Sequence, residues 1–190
     1  MIRVISGLYK GKKLKNVSGS KVRPLPGRLK ESLFSIIQEN VRGSLFLDGF
    51  AGTGSAGIEA LSRGADYVVF IEEYYPAVKV IHSNLEKCGA EEKSRVIHGE
   101  FNRSVIHLSK EEACFDVIFL DPPYRLLENR NPLKVIRKRG ILKKNGLIVI
   151  RHHRKIRFSP KDFKKSRQVT MGDDILAFFI NLDYSGKQSE

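Results

Sequence analysis

Cysteine is scarce: Cys88 and Cys114 are the only two in 190 residues, and no Cys/His cluster accompanies them. A disulfide-rich scaffold and a structural zinc site are thereby excluded, and a reduced, cytoplasmic chain is expected. Long apolar runs are missing too. No segment approaches the ~18 consecutive apolar residues of a membrane span. The opening stretch MIRVISGLYKGKK has no apolar core of the secretory kind, so no signal peptide is expected. No internal repeat or low-complexity tract interrupts the chain. The most informative scarcity is that of acids at particular places. Residues 1–30 hold nine lysines and arginines and no acid. Residues 151–167 hold eight against Asp162 alone, while thirteen of the 21 acids lie between Asp48 and Asp121.

What is there follows from that imbalance. A net charge of +13, concentrated at two rims of a mixed-charge body, is the footprint of a polyanionic partner. No amphipathic apolar face accompanies the basic runs, which favours nucleic acid over an anionic membrane. The residues expected to face it are Arg3, Lys10, Lys12, Lys13, Arg23 and Arg28 from the first run, with Arg151 and Arg154 from the second. The length suits one domain with a real core, and a monomer is expected.

Residues 1–42 read as a basic arm and a helix packed on the core. Short apolar strings are broken by Gly7, Gly11, Gly19, Pro24 and Pro26, and an amphipathic helix follows over 28–40. From 43 to 184 the rhythm alternates. Strand-like runs fall at 44–48, 67–72, 95–99, 116–121 and 147–151, with helices predicted over 55–63, 75–88, about 101–109 and about 131–139. Strands this uniformly apolar are buried on both faces, and their alternation with helices predicts a doubly wound α/β domain on a parallel sheet. The segment QVTMGDDILAFFINLDY adds two strands, antiparallel, around a Gly-Asp-Asp turn. Residues 185–190 read as a frayed tail.

LDGFAGTGSAG, residues 47–57, places Gly52, Gly54 and Gly57 in a G-x-G-x-x-G pattern between a strand and a helix. Missing Cβ atoms let a ligand approach the backbone, and the helix N-terminus faces it. Glu72 ends the next strand, where a carboxylate can accept both hydroxyls of a ribose. A dinucleotide-binding oxidoreductase satisfies this pattern equally. Asp48 separates the two readings: a carboxylate before the loop repels pyrophosphate but attracts the ammonium and sulfonium of S-adenosylmethionine.

The second motif is FLDPPY, residues 119–124. Pro122 and Pro123 fix φ and remove two donors, leaving a stiff loop that presents acceptors: the Asp121 carboxylate and the Pro122 carbonyl. An exocyclic base amine offers two N–H donors, and holding those aims its lone pair at a methyl donor. Tyr124 is placed to stack on the base. A base inside a duplex cannot enter such a site, so the target must be flipped out or unpaired. The chemistry needs no metal. His152 and His153 cannot share one, because neighbours on a strand point to opposite faces. Arg151-His152-His153 reads instead as a solvated basic patch.

RPLPGRLKESLF (23–34), LDGFAGTGSAGIEALSRGA (47–65), Glu72 and FLDPPY together resemble the bacterial RsmD-type 16S rRNA guanine-N2 methyltransferases, from Arg3 to about Leu182. The resemblance implies a class I S-adenosylmethionine-dependent methyltransferase fold. That is a Rossmann-like, mostly parallel seven-stranded sheet with helices on both faces and an N-terminal β-hairpin arm. It further implies methylation of one guanine N2 in 16S rRNA of the small ribosomal subunit or its assembly intermediate. By position, the cofactor loop falls on Asp48, Gly49, Phe50, Ala51, Gly52, Thr53 and Gly54, and the ribose acid on Glu72. The adenine-side segment falls on Gly99, Glu100 and Phe101, and the catalytic motif on Asp121, Pro122, Pro123 and Tyr124. The chain departs from the family in three places. Pro26-Gly27 interrupts a motif that usually carries an acid, Glu100 stands where Asp is usual, and Arg151-His152-His153 follows the fifth strand, where a Glu is common.

Two rival readings remain: an adenine-N6 methyltransferase, for which 190 residues leave no room for a target-recognition domain, and a non-catalytic RNA-binding assembly factor, against which Asp48, Glu72 and DPPY stand together. If the first basic run engages RNA, replacing Lys10, Lys12 and Lys13 with Glu weakens binding to small subunits and flattens its salt dependence without altering cofactor affinity. Filter-binding titrations across a salt series check this, and an unchanged slope moves the RNA surface to residues 151–167.

Overall fold

The computed structural model describes residues 2–17, 25–123, 126–127, 131–156, 160 and 163–182. Two short strands, β1 (Ile2–Arg3) and β2 (Lys13–Leu14), pair antiparallel with Ile2 opposite Leu14. The helix predicted over 28–40 is two: α1 (Gly27–Ile36) and α2 (Gln38–Val41). Ile37 parts them at φ −97° and ψ 12°. Its N–H closes α1 on the Leu33 carbonyl, and its own carbonyl receives the N–H groups of Asn40 and Val41.

Strands and helices then alternate. They are β3 (Leu45–Asp48), α3 (Ser55–Ser62), β4 (Tyr67–Glu72), α4 (Tyr75–Cys88), β5 (Ser94–His98) and α5 (Phe101–Lys110). Next come β6 (Phe115–Leu120), α6 (Pro132–Arg139), β7 (Leu142–His153), β8 (Phe163–Met171) and β9 (Asp174–Asn181). Pro76 near the start of α4 and left-handed Gly89 at its end set the predicted bounds of that helix. β7 begins five residues before the predicted LIVIR run, because its first turn of strand carries the polar, exposed Lys143, Lys144 and Asn145. β8 likewise starts at Phe163 through exposed Lys164 and Lys165 rather than at Gln168.

The seven strands after the hairpin form one sheet in the order β5-β4-β3-β6-β7-β9-β8. β5 through β7 are parallel, whereas β9 runs antiparallel to both β7 and β8. The chain winds outward from β3 to β5, then returns to lay β6 on the other side of β3. That reversal opens a crevice at the carboxyl ends of β3 and β6, the position where open α/β sheets bind ligands.

Period-two alternation divides the core into two layers. Phe46, Val68, Phe70, Val117, Phe119 and Val149 face α1, α3 and α4. Leu47, Val69, Ile71, Ile118, Leu120, Ile148 and Ile150 face α5 and α6. Both sheet faces are therefore covered. Val4, Tyr9 and Leu14 of the N-terminal segment join the first layer, so the arm shares the core instead of standing off it.

A buried ionic cluster holds that arm. Glu59 of α3 is 0% exposed and accepts the N–H groups of Ile5 (2.8 Å) and Ser6 (3.0 Å). The same carboxylate meets Lys30 Nζ of α1 at 3.1 Å and Arg63 Nε at 2.9 Å. Lys30, counted in the basic rim by sequence, is 1% exposed and also donates to the Arg3 carbonyl and to Ser55 Oγ. Burial pushes its ammonium below the ordinary lysine value, and Glu59 opposes that shift. Beside the cluster, Gly7 (φ +83°) lies so near α3 that a Cβ there would meet the Ser62 carbonyl oxygen at 1.7 Å. Only glycine fits.

Removing one partner of a buried pair leaves the other charge uncompensated, which costs about 3–5 kcal/mol. Glu59→Gln is therefore expected to lower unfolding free energy by that amount in a urea titration. A loss below ~1 kcal/mol would mean that water or a neighbour replaces the carboxylate.

Candidate functional site

The crevice at the switch point is a cleft of ≈ 450 Å3, and its walls come from the ends of five strands. β3 supplies Asp48, after which Gly49, Phe50, Ala51, Gly52 and Thr53 line the cleft in turn. Backbone bonds shape this loop: Gly49 N–H reaches the Phe119 carbonyl at 2.9 Å, and Ala51 N–H reaches that of Ile71 at 3.0 Å. Gly52 (φ 55°) and Gly54 (φ 75°) then take the left-handed turn into α3. Gly57 does a different job. A Cβ there would lie 2.2 Å from the Phe70 ring, so its absence lets the helix sit on the sheet.

Asp48 is buried, and its Oδ2 accepts the Gly57 N–H at 2.9 Å. No lysine or arginine pairs with it among the described residues. Burial pushes its carboxyl up to about 7; the Gly57 bond opposes this, and the charges of Asp121 and Glu72 add to it. Glu72, ending β4, accepts the N–H of Gly52 at 2.7 Å and that of Tyr74 at 2.8 Å. Each carboxylate oxygen retains a further lone pair for a ligand hydroxyl. Beyond β5, Glu100 caps α5 by accepting the Arg103 N–H at 2.9 Å. Phe101 stacks on Phe50 with ring centroids 4.8 Å apart, and both line the cleft.

On the other side β6 delivers Asp121, Pro122 and Pro123 to the same cleft. Pro122 is buried and Pro123 exposed; the Pro123 carbonyl accepts the Leu126 N–H at 2.8 Å. Tyr124 lies outside the described residues, as do Arg23 and the tail from 183 onward. Burial raises the Asp121 carboxyl to about 6, and Arg151 pulls against that rise.

Arg151 requires a correction. It was expected on a solvated, RNA-facing patch with His152 and His153, yet it is 5% exposed, His152 is buried and His153 half-buried. Arg151 lines the cleft, donating from Nη1 to Asp121 Oδ2 at 2.9 Å and from Nε to Asp174 Oδ1 at 3.1 Å. A period-two count from Leu147 and Val149 would have placed it on the face of Asp121. Leu25, Ser55, Glu73 and Leu126, none singled out by a sequence motif, also line the cleft.

The other basic residues do lie at the surface. Arg3, Lys10, Lys12, Lys13, Arg28 and Arg154 are exposed. Lys12 donates to the Lys87 carbonyl at the end of α4, and Arg154 pairs with Asp173 at 2.8 Å. Among the described residues no group of His, Cys, Asp and Glu could hold a metal, and no helix is long and apolar enough to cross a membrane.

A family profile described as "Conserved hypothetical protein 95" matches residues 2–180. The Bacillus subtilis protein YlbH, provisionally named an rRNA methyltransferase, is 36% identical, over 90% of this chain and 94% of that one. Ribosomal RNA small subunit methyltransferase D of Haemophilus influenzae is 33% identical, over 90% and 89%. Among solved structures, Escherichia coli YhhF, provisionally named a methyltransferase, superposes with a TM-score of 0.82 at 26% identity, over 95% of this chain and 97% of that one.

A carboxyl held near 7 makes cation binding pH-dependent. A cationic ligand needs Asp48 ionised, so its affinity should fall as pH drops below about 7 and level off above it. Calorimetry with a sulfonium ligand between pH 5.5 and 8.5 checks this, and Asp48→Asn should weaken and flatten the profile. A parent profile already flat would mean that Asp48 does not sense the ligand's charge.

Proposed function

This chain belongs to the RsmD-type family, described as conserved hypothetical protein 95, and from that premise we propose that it methylates the exocyclic N2 amine of a guanine in 16S rRNA, using S-adenosylmethionine. The observation that carries this reading is convergence: Asp48, Glu72, Glu100 and Asp121, from four separate strand ends, meet in one cleft. The cofactor fits the donor set. Asp48, buried and without a lysine or arginine partner among the described residues, suits a ligand that brings its own positive charge. The Gly49–Thr53 backbone and Glu72 would hold the ribose, Glu100 and Phe101 the adenine side, and Asp48 the cationic end. When bound, S-adenosylmethionine supplies an electrophilic methyl group on its sulfonium sulfur.

This chain's own residues act on the base. Asp121 accepts a hydrogen of the amine and the Pro122 carbonyl a second, which turns the nitrogen lone pair away from the loop and into the cleft. Asp121 also receives the proton lost once the amine has become a substituted one. Tyr124 stacks on the guanine ring. Positioning of this kind can supply effective molarities of ~10⁵ M or more, so no further catalyst is required. The guanine enters flipped out or from an unpaired segment. The exposed basic residues hold the small subunit or its assembly intermediate, and the protein works as a monomer in the cytoplasm.

Transfer of a labelled methyl group to unmodified small subunits, followed by mapping of the labelled nucleotide, tests the reading. Asp121→Ala should lower the single-turnover rate by ~10²–10³-fold, by analogy with the loss of one oriented partner in an oxyanion hole. Cofactor affinity should change little, because the interaction is realised mainly in the transition state. Near-parental rates in that variant would reduce the DPPY loop to a turn.

A further inference from the structure

We propose that Arg151 is a positioning residue for the reaction: anchored on Asp174, its guanidinium fixes the Asp121 carboxylate that receives the target amine. The proposal rests on the reading of Asp121 as the amine's acceptor. Its own ground is the geometry of three strands.

Leu120 of β6 pairs with Ile150 of β7, so the next residues along these parallel strands, Asp121 and Arg151, come side by side at the cleft. Across the antiparallel pair, Arg151 faces Leu176 of β9, and Asp174 lies two residues away on the same face. One planar guanidinium thus spans two carboxylates, at 2.9 Å through Nη1 and 3.1 Å through Nε. Bonded to two carboxylates at once, the planar guanidinium is held in orientation and aims Nη1 at Asp121 Oδ2, which the single flexible point charge of a lysine does not reproduce. At 5% exposure the side chain is not part of the exposed basic surface.

The charges around Asp121 make the fork necessary. Among the described residues it faces Arg151 on β7, Asp174 on β9 and Asp48 on β3. Burial and the Asp174 charge favour its neutral form, and Arg151 opposes them. Burial also works against the Arg151 charge, but Asp121 and Asp174 outweigh it and hold the guanidinium above its ordinary value. A neutral Asp121 would carry a proton on an oxygen needed as an acceptor.

Carboxyl-carbon NMR titration, with the Asp121 signal assigned through Asp121→Asn, reads the effect directly. Arg151→Met should raise the Asp121 midpoint by roughly 1–3 units. Arg151→Lys, which keeps a charge but loses the fork, should raise it less. The acid limb of the single-turnover methyl-transfer rate should move upward by the same amount, giving a loss of about twofold to tenfold at pH 7 for a rise of one to two units. Cofactor affinity should stay within about twofold of the parent. An Asp121 midpoint unmoved in Arg151→Met overturns the proposal, as does a rate loss equal at every pH. Should Arg151→Met fail to fold, Arg151→Lys decides: a parental midpoint and rate overturn the proposal, and a raised midpoint with a slower rate supports it. A parent that transfers no methyl group to RNA, with the Asp121 midpoint still shifted by Arg151→Met, would sink the functional reading and leave the clamp intact.

Discussion

The Glu59 carboxylate is the contact on which the placement of the other parts depends. It sits in the middle of α3, wholly buried, and collects an ammonium, a guanidinium and two backbone N–H groups. Each comes from a different direction: Lys30 from α1, Arg63 from the cap that ends α3, and Ile5 and Ser6 from the N-terminal arm. A buried charge is tolerated only when its lone pairs are fully used. This one is satisfied by groups on three elements, so none can shift without exposing it. The tie extends to the site, since Lys30 also holds Ser55, the first residue of α3 and part of the cleft wall. The helix that presents the glycine loop is thus locked against both the arm and α1.

Around that anchor the sheet order does the rest. Because the chain leaves β3 toward β4 and β5 and later returns to β6, the two motifs arrive from opposite directions at one crevice. The glycine loop is built by backbone bonds from Gly49 and Ala51 to neighbouring strands, and Glu72 closes it through Gly52. Asp121 is held from the far side by β7 and β9. The two sides of the cleft therefore have separate supports. Asp48 and Asp121 nevertheless sense each other's charge, which joins the two sides electrostatically.

Much of this was legible in the sequence, for physical reasons that differ from element to element. YVVFIE could be delimited because a strand covered on both faces has no polar interruption, and 75–88 because Pro76 and Gly89 mark its ends. Glu72 and Asp121 could be placed because strand ends in alternating α/β chains converge. Other features left no local trace. Lys30 looked like one more cation in a basic run, since nothing nearby reveals a carboxylate 29 positions later. The break at Ile37 carries neither proline nor glycine. Arg151 misled for the opposite reason: its company of histidines and cations suggested solvent, while the alternation of Leu147 and Val149 beneath it put it inside. Charge composition describes a neighbourhood in sequence, whereas burial is decided by the partner strand.

β8 forms one border of the sheet, nine residues long, with Lys164, Lys165 and Arg167 exposed along it. A border strand offers a row of backbone groups to any other extended chain, and cationic side chains are a common guard against such pairing. Here the guard has the same sign as the attraction proposed for RNA. Both weaken together as salt is added, because the screening length shrinks to ~10 Å near 0.1 M and ~3 Å near 1 M. High salt used to strip nucleic acid from this protein would then also uncover its border strand to a second copy. Solubility and RNA affinity draw on one electrostatic source.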